Sequence, residues 1–143
     1  MHPPSSPART AKDATPRILI VDDETLNIKL LDIVLTKGGY RTIAATSGPG
    51  ARAAALEQGP DLILLDVLMP GEDGYTTCEL LKHDPRTSDI PVIFISALTD
   101  TSSKVRGLEV GGVDFVSKPF EKAEVLARVK VHLKLRLTYK ALI

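Results

Sequence analysis

Short runs of consecutive apolar residues recur along the chain, and polar residues or turn signals follow each of them. Runs this short and this continuous are typical of strands that a sheet buries on both faces. One run is of mixed polarity, which suits a strand at the edge of a sheet. The pattern predicts five strands, at 18–21, 40–45, 61–66, 91–95 and 113–117.

The segments between these strands repeat their apolar residues at the spacing of a helix. The first helix ends where Gly38-Gly39 supplies a stop signal. The fourth has only Val105 and Leu108 between polar residues, which predicts a weakly amphipathic helix with an exposed face. Five helices are predicted, at 25–37, 51–57, 74–83, 99–111 and from 121 almost to 143. The last should turn four residues toward the core, namely Leu126, Val129, Leu133 and Leu137.

The alternation of apolar strands with helices predicts the fold class. Five strand–helix units indicate an α/β protein with a doubly wound, five-stranded parallel sheet that helices cover on both faces. Right-handed crossovers then bring the carboxyl ends of all the strands to one edge of the sheet. Open α/β sheets keep their binding and chemical sites at that edge.

Composition limits the classes of function. The 143 residues suit one domain, and 18 basic residues offset by 18 acidic residues provide no overall charge to attract nucleic acid or an anionic membrane. A single cysteine, Cys78, excludes an internal disulfide. Residues 1–16 contain four prolines and almost no large apolar side chain, so we expect a flexible tail. No bilayer-spanning run and no secretory signal are evident, and the cytoplasm is the expected location.

Five polar side chains follow the predicted strands at the shared edge: Asp22, Asp23, Asp66, Ser96 and Lys118. Three carboxylates brought together repel one another, and a hard cation removes that repulsion. Ligands that are all oxygen favour Mg²⁺ or Mn²⁺ over zinc. Taken singly, each aspartate would be interpreted as an acid in a turn, and Lys118 as a surface residue. Together they predict a phosphoryl-transfer site in which one carboxylate attacks in line and becomes an aspartyl phosphate.

The motifs at these positions resemble those of the receiver domain of two-component response regulators. The matching stretches are Asp22-Asp23, Leu64-Leu65-Asp66-Val67-Leu68-Met69-Pro70, Gly74, Ser96-Ala97 and Lys118-Pro119-Phe120. The resemblance covers residues 17–137 and implies a flavodoxin-like sheet with strand order 2-1-3-4-5. It also implies that Asp66 is a phosphoacceptor that takes its phosphoryl group from a histidine kinase or a histidine phosphotransfer protein, in a signalling domain rather than an enzyme.

The resemblance assigns a role to each site residue. Asp23, Asp66 and the backbone carbonyl of Leu68 would bind Mg²⁺ directly, and Asp22 would act mainly through a coordinated water. Around the phosphoryl group and the switch we expect Ser96, Ala97, Lys118 and Phe115, with a cis peptide bond before Pro119. The fourth helix, the fifth strand and the last helix would form the face that changes, and either a homodimer or the docking of a partner through that face is expected.

Two positions depart from the pattern of the family. Leu68, two residues after Asp66, and Leu98, two residues after Ser96, are apolar where family members often place polar groups near the attacking water. We therefore predict that the phosphorylated protein dephosphorylates itself slowly.

Three other readings compete with a functional receiver. A phosphatase of the haloacid-dehalogenase type would need aspartates two residues apart after the first strand, whereas Asp22 and Asp23 are adjacent. A flavodoxin-like cofactor-binding module would need a glycine-, serine- or threonine-rich phosphate loop there. A degenerate receiver would serve only as a protein-binding scaffold, and the five retained site residues argue against it.

The last helix has a basic face and continues almost to Ile143, and both features bear on the partners of the chain. Its basic residues read as a solvated face, so no direct nucleic acid binding is expected. Residues 138–143 look like the start of a helical linker, and we expect a covalently linked output or kinase domain beyond Ile143. Three parents fit the sequence: a stand-alone regulator, a regulator linked to an effector domain, or a hybrid histidine kinase.

Overall fold

The computed structural model describes residues 14–142, and the side chains as far as Lys140. Five strands alternate with five helices along this part of the chain. The strands are β1 (Arg17–Val21), β2 (Arg41–Ala45), β3 (Leu62–Asp66), β4 (Val92–Ser96) and β5 (Asp114–Ser117). The helices are α1 (Thr25–Lys37), α2 (Gly48–Gln58), α3 (Gly74–His83), α4 (Thr101–Glu109) and α5 (Lys122–Leu142). Most of the predicted tail, 1–16, lies outside the described residues.

The strands form one parallel sheet in the order β2-β1-β3-β4-β5. The predicted fold class and strand order are confirmed. All five residues of β3 and all five of β4 are buried, as expected for central strands with helices on both faces. The edge strand β2 has one buried residue, Ala45, which agrees with its mixed polarity.

Alternate side chains of each strand enter two separate cores. Leu19, Val21, Ile63 and Leu65 belong to the core under α2 and α3, together with Phe94. The neighbouring positions of the same strands enter the other core, with residues of α1 and α5: Ile18, Ile20, Leu31, Leu35, Leu62, Leu64, Val125 and Val129. This two-sided burial holds the sheet rigid and presents its strand ends at a fixed edge.

Local capping explains why two helices begin where they do. The Asp73 side chain accepts a hydrogen bond from the Thr76 amide at the start of α3, and Asp100 does the same for Ser103 at the start of α4. The predicted start of α2, at residue 51, is three residues too late. Ser47 caps that helix and Pro49 occupies its first turn, so it begins at Gly48.

The core-facing side of α5 differs in part from the prediction. Val129 and Leu133 are buried as expected, but Val125 is buried and Leu126 is only partly so. The prediction that Leu137 faces the core is wrong, since its side chain is 64% exposed. One residue earlier, the Arg136 guanidinium donates to the carbonyls of Pro60 and Asp61 just before β3, so the inner side of the helix passes through Arg136 and not through Leu137.

Candidate acidic site at the carboxyl edge of the sheet

Asp22, Asp23 and Asp66 come together at the carboxyl edge of the sheet. Val21 and Leu65 are partners in the β1–β3 register, so the residues that follow them lie side by side. One carboxylate oxygen from each of the three acids lies within 4.8 Å of the other two. Asp22 and Asp66 are buried, whereas Asp23 is exposed to solvent.

Lys118 is the cation beside this cluster. Its Nζ lies 2.9 Å from Asp22 Oδ2 and 3.3 Å from Asp66 Oδ2. The Lys118 amide donates to the Ser96 carbonyl at 2.8 Å, which fixes the start of the lysine chain against β4. One ammonium group therefore faces three carboxylates, and a net negative charge is left at the site.

The electrostatics of the site follow from burial and from this ammonium group. Burial raises the pKa of Asp66 to about 6, with Lys118 opposing the shift and Asp22 adding to it. Burial alone would lower the pKa of Lys118, but its hydrogen bond to Asp22 and the two carboxylate charges hold that pKa above its ordinary value. Asp66 thus titrates near neutrality beside a lysine that stays charged.

The donor set fits a hard divalent cation. Three carboxylates supply only oxygen, two of them are buried, and one ammonium cannot neutralise them. The residues available to hold Mg²⁺ are Asp22, Asp23 and Asp66. The Leu68 amide donates to Asp66 Oδ1 at 3.4 Å, so the backbone of the following loop runs past the same carboxylate.

The other predicted site residues lie on β4, on β5 and in the loops after them. Ser96 is fully buried at the end of β4, and its Oγ accepts a hydrogen bond from the Leu98 amide at 3.1 Å. Ala97 is exposed. Phe115 is partly buried, with its ring centroid 6.1 Å from that of Phe94. The peptide bond from Lys118 to Pro119 is cis.

Comparison with known proteins decides the family. A family model described as the response regulator receiver domain matches residues 18–130. The chain belongs to this family. The receiver domain is 46% identical over 121 residues to the response regulator PleD of Caulobacter vibrioides, covering 85% of this chain and 27% of that protein. It is 42% identical to the DNA-binding regulator RpaA of Synechocystis, covering 83% of this chain and 49% of that protein.

A solved structure leads to the same family. The signal receiver domain of a signal transduction histidine kinase from Syntrophus aciditrophicus has a TM-score of 0.78 and 38% identity, with 84% of this chain and 91% of that chain covered. The receiver domain spans between about a quarter and a half of the two curated relatives named above. Among the described helices, none has both the length and the hydrophobicity that a membrane span requires.

One polar cluster near the site was not predicted from the sequence. Arg52 on α2 and Thr77 on α3 both donate hydrogen bonds to Glu72, six residues after Asp66. Arg52 and Glu72 are separated by 20 residues and a strand. No spacing rule within one helix or strand connects such positions, so the sequence carried no signal for this contact.

Proposed function

We propose that the receiver domain takes a phosphoryl group from a phosphohistidine onto Asp66, with Mg²⁺ held by Asp23, Asp66 and the Leu68 carbonyl, and with Asp22 acting through a coordinated water. The observation that carries this proposal is the cluster of three carboxylates beside one ammonium group. Mn²⁺ has the same ligand preferences and should replace Mg²⁺. The phosphodonor is a histidine kinase or a histidine phosphotransfer protein.

Each residue of the site has a separate role in the proposed transfer of the phosphoryl group. An Asp66 carboxylate oxygen attacks phosphorus, the bond from phosphorus to the histidine nitrogen breaks, and its electron pair returns to the imidazole ring. Lys118 is close enough to Asp66 to donate a hydrogen bond to a phosphoryl oxygen. The divalent ion would neutralise charge on the other phosphoryl oxygens.

The switch is carried by β4, α4 and β5. We propose that Ser96 moves to bond a phosphoryl oxygen and that the Phe115 ring turns inward as it does so. Only Gly107 of α4 is buried, which leaves that helix weakly held by apolar packing. The Tyr75 hydroxyl donates to the Ser103 carbonyl at 2.9 Å, and the Arg106 guanidinium lies 4.7 Å from the centroid of the Tyr75 ring. These contacts are polar or partly exposed, so a small free energy suffices to shift α4.

Exposed apolar residues on the switch face suit a second copy of the domain. Val105 and Leu108 on α4, Val113 before β5 and Val131 on α5 are each between 41% and 56% exposed. We propose that phosphorylation repacks this face and that homodimers form through it. We further propose that the receiver domain signals to a covalently linked output or kinase domain, as in a response regulator or a hybrid histidine kinase, and that it acts in the cytoplasm.

The phosphodonor has a separate surface on which to dock. A groove between α1 and the start of α5 is lined by Leu30, Ile33, Phe120 and Leu126, with Lys37 and Lys122 at its margins. Phe120 lies two residues after Lys118, so one wall of the groove belongs to the segment that carries the site lysine. We assign it to the helices that carry the donor histidine, because an amphipathic helix buries its apolar side chains in such a groove.

Acetyl phosphate provides a direct test of the proposed reaction. With Mg²⁺, the full chain is expected to gain one phosphoryl group, and peptide mapping should place it on Asp66. Chelation of the divalent ion should prevent the gain. Uptake that does not require a divalent ion, or a label mapped to another residue, would contradict the proposal.

Slow self-dephosphorylation is a second expected result. Leu68 and Leu98 offer no hydrogen bond through their side chains to a water that attacks phosphorus. We expect the purified phosphoprotein to persist for minutes or longer, and Leu68→Glu to hydrolyse faster. The decay of the acid-labile phosphate measures both rates. A half-life of seconds for the unaltered protein would refute this prediction.

A further inference from the structure

Glu72 ties the loop between β3 and α3 to helix α2. Arg52 donates to its carboxylate twice, from Nε to Oε2 at 3.1 Å and from a terminal nitrogen to Oε1 at 2.8 Å. The hydroxyl of Thr77, a fully buried residue on α3, donates to Oε2 at 2.6 Å. The Glu72 side chain is 15% exposed. The guanidinium therefore holds a largely buried carboxylate by a planar, two-point contact.

Helix α2 is shaped to receive this carboxylate. A Cβ added to Gly48, the first residue of α2, would overlap both Glu72 Oε2 and Thr77 Oγ1. The glycine thus allows the acid to lie against the first turn of the helix. That turn contains no acidic residue of its own, so Glu72 supplies the negative charge that the amino end of a helix favours. The hydrogen bonds from Arg52 and Thr77 lower the pKa of Glu72 against the effect of burial.

The loop itself has few other polar attachments. Its residues 67–71 have apolar side chains or none, and the Asp73 carboxylate caps α3. Glu72 is therefore the one side chain of the loop that can bond to α2 as a charged group. Val67 and Met69 are buried, whereas the Leu68 side chain between them is 54% exposed and does not hold its own backbone. Beyond Met69, Pro70 and Gly71 are exposed, so Glu72 is the attachment that ties the segment after Leu68 to α2.

We propose that Arg52 and Glu72 form a positioning pair for the metal site. They hold the loop on α2, and this would keep the Leu68 carbonyl in place as a ligand of the cation together with Asp23 and Asp66. Neither side chain touches the metal or the phosphoryl group. The inference rests on the proposed function, because it assigns a role to residues that support the same Mg²⁺ site.

Mg²⁺ affinity is the quantity that this pair should control. Partners that orient a metal ligand typically change metal affinity by about tenfold when they are removed, and we expect a dissociation constant about tenfold higher for Arg52→Ala and for Glu72→Gln. The double variant should be no worse than either single one, since both changes break the same contact. Isothermal titration of the full chain with Mg²⁺ measures these constants.

A second readout separates positioning from general stability. The carbonyl ¹³C resonance of Leu68 should shift during the Mg²⁺ titration, and in both variants it should saturate at about tenfold higher Mg²⁺. Amide hydrogen exchange should rise in 67–72 but not in β3. Because Arg52 is partly exposed, its variant keeps the test valid if Glu72→Gln unfolds.

Arg86 provides a matched control. Its guanidinium holds Asp84 by the same two-point geometry, with distances of 3.1 and 2.8 Å, at the opposite edge of the sheet. Arg86→Ala should leave the Mg²⁺ dissociation constant unchanged. Equal Mg²⁺ dissociation constants for the wild type, Arg52→Ala and Glu72→Gln would overturn the positioning role and leave the proposed function intact. A wild-type chain without Mg²⁺ affinity would overturn both.

Discussion

Asp66→Asn is expected to abolish phosphoryl uptake and yet to stabilise the metal-free protein at neutral pH. The amide removes the nucleophilic oxygen but resembles the protonated carboxyl group in shape and charge. Burial raises the pKa of Asp66 to about 6 from an ordinary value of 3.8. The folded state therefore binds this proton more tightly than the unfolded state, and ionisation of Asp66 opposes folding.

The sign and the pH range of this effect follow from the two pKa values. Below about pH 3 the carboxyl is protonated in both states and the variant should match the wild type, and at about pH 4 the difference should still be well under 1 kcal/mol. Between about pH 4 and pH 6 the wild type loses stability relative to the variant, and above that range the difference should reach about 2 to 3 kcal/mol. Unfolding by urea with a chelator present, at about pH 4 and about pH 7.5, measures the difference.

Addition of Mg²⁺ should reverse the order at neutral pH. A cation that binds only the folded state stabilises the wild type, and the variant lacks one of its ligands. Asp23→Asn is the control for the loss of a carboxylate, because Asp23 is exposed and its change should alter metal-free stability by less than about 0.5 kcal/mol. An Asp66→Asn variant less stable than the wild type without metal, or a difference that does not vary with pH, would contradict this account.

Gly74→Ala should destabilise the fold and weaken the metal site together. Gly74 begins α3, and its amide donates to the Val67 carbonyl at 2.9 Å. A Cβ at this position would overlap the Asp66 carbonyl oxygen and lie 2.8 Å from the Val67 Cα. Both neighbours are backbone atoms, so relief of the overlap must displace the end of β3 or the start of α3. We expect a loss of about 3 kcal/mol in the free energy of unfolding.

Thr76→Ala is the control for Gly74→Ala. It tests whether the loss of stability comes from the steric overlap at Gly74 and not from a substitution in the first turn of α3 as such. Thr76 is exposed in the same turn of α3, and its side chain can be shortened without a steric conflict. Its variant should stay within about 0.5 kcal/mol of the wild type. Chemical denaturation and Mg²⁺ titration of both variants provide the comparison. A Gly74→Ala protein with unchanged stability and Mg²⁺ affinity would show that the loop tolerates the displacement.

The sequence by itself determined the class of fold and the convergence of the site. In continuous apolar runs such as 62–65 and 92–95, successive side chains point to opposite faces of the strand, so both faces must be buried. Strands of this kind are typical of a parallel sheet with helices on both sides. Parallel strands end at one edge, so residues that follow different strands must meet there. Asp22 and Lys118 are 96 positions apart and nevertheless form an ion pair.

The tertiary structure alone decided which neighbours each helix has. Periodicity placed Leu137 with Leu133 on one side of α5, but Leu137 is 64% exposed, and Arg136 instead contacts the residues just before β3. The contact of Arg52 with Glu72 depends likewise on how α2 lies against the loop after β3. Strand ends are located by local patterns, whereas contacts between side chains of separate elements depend on packing distances that no local pattern contains.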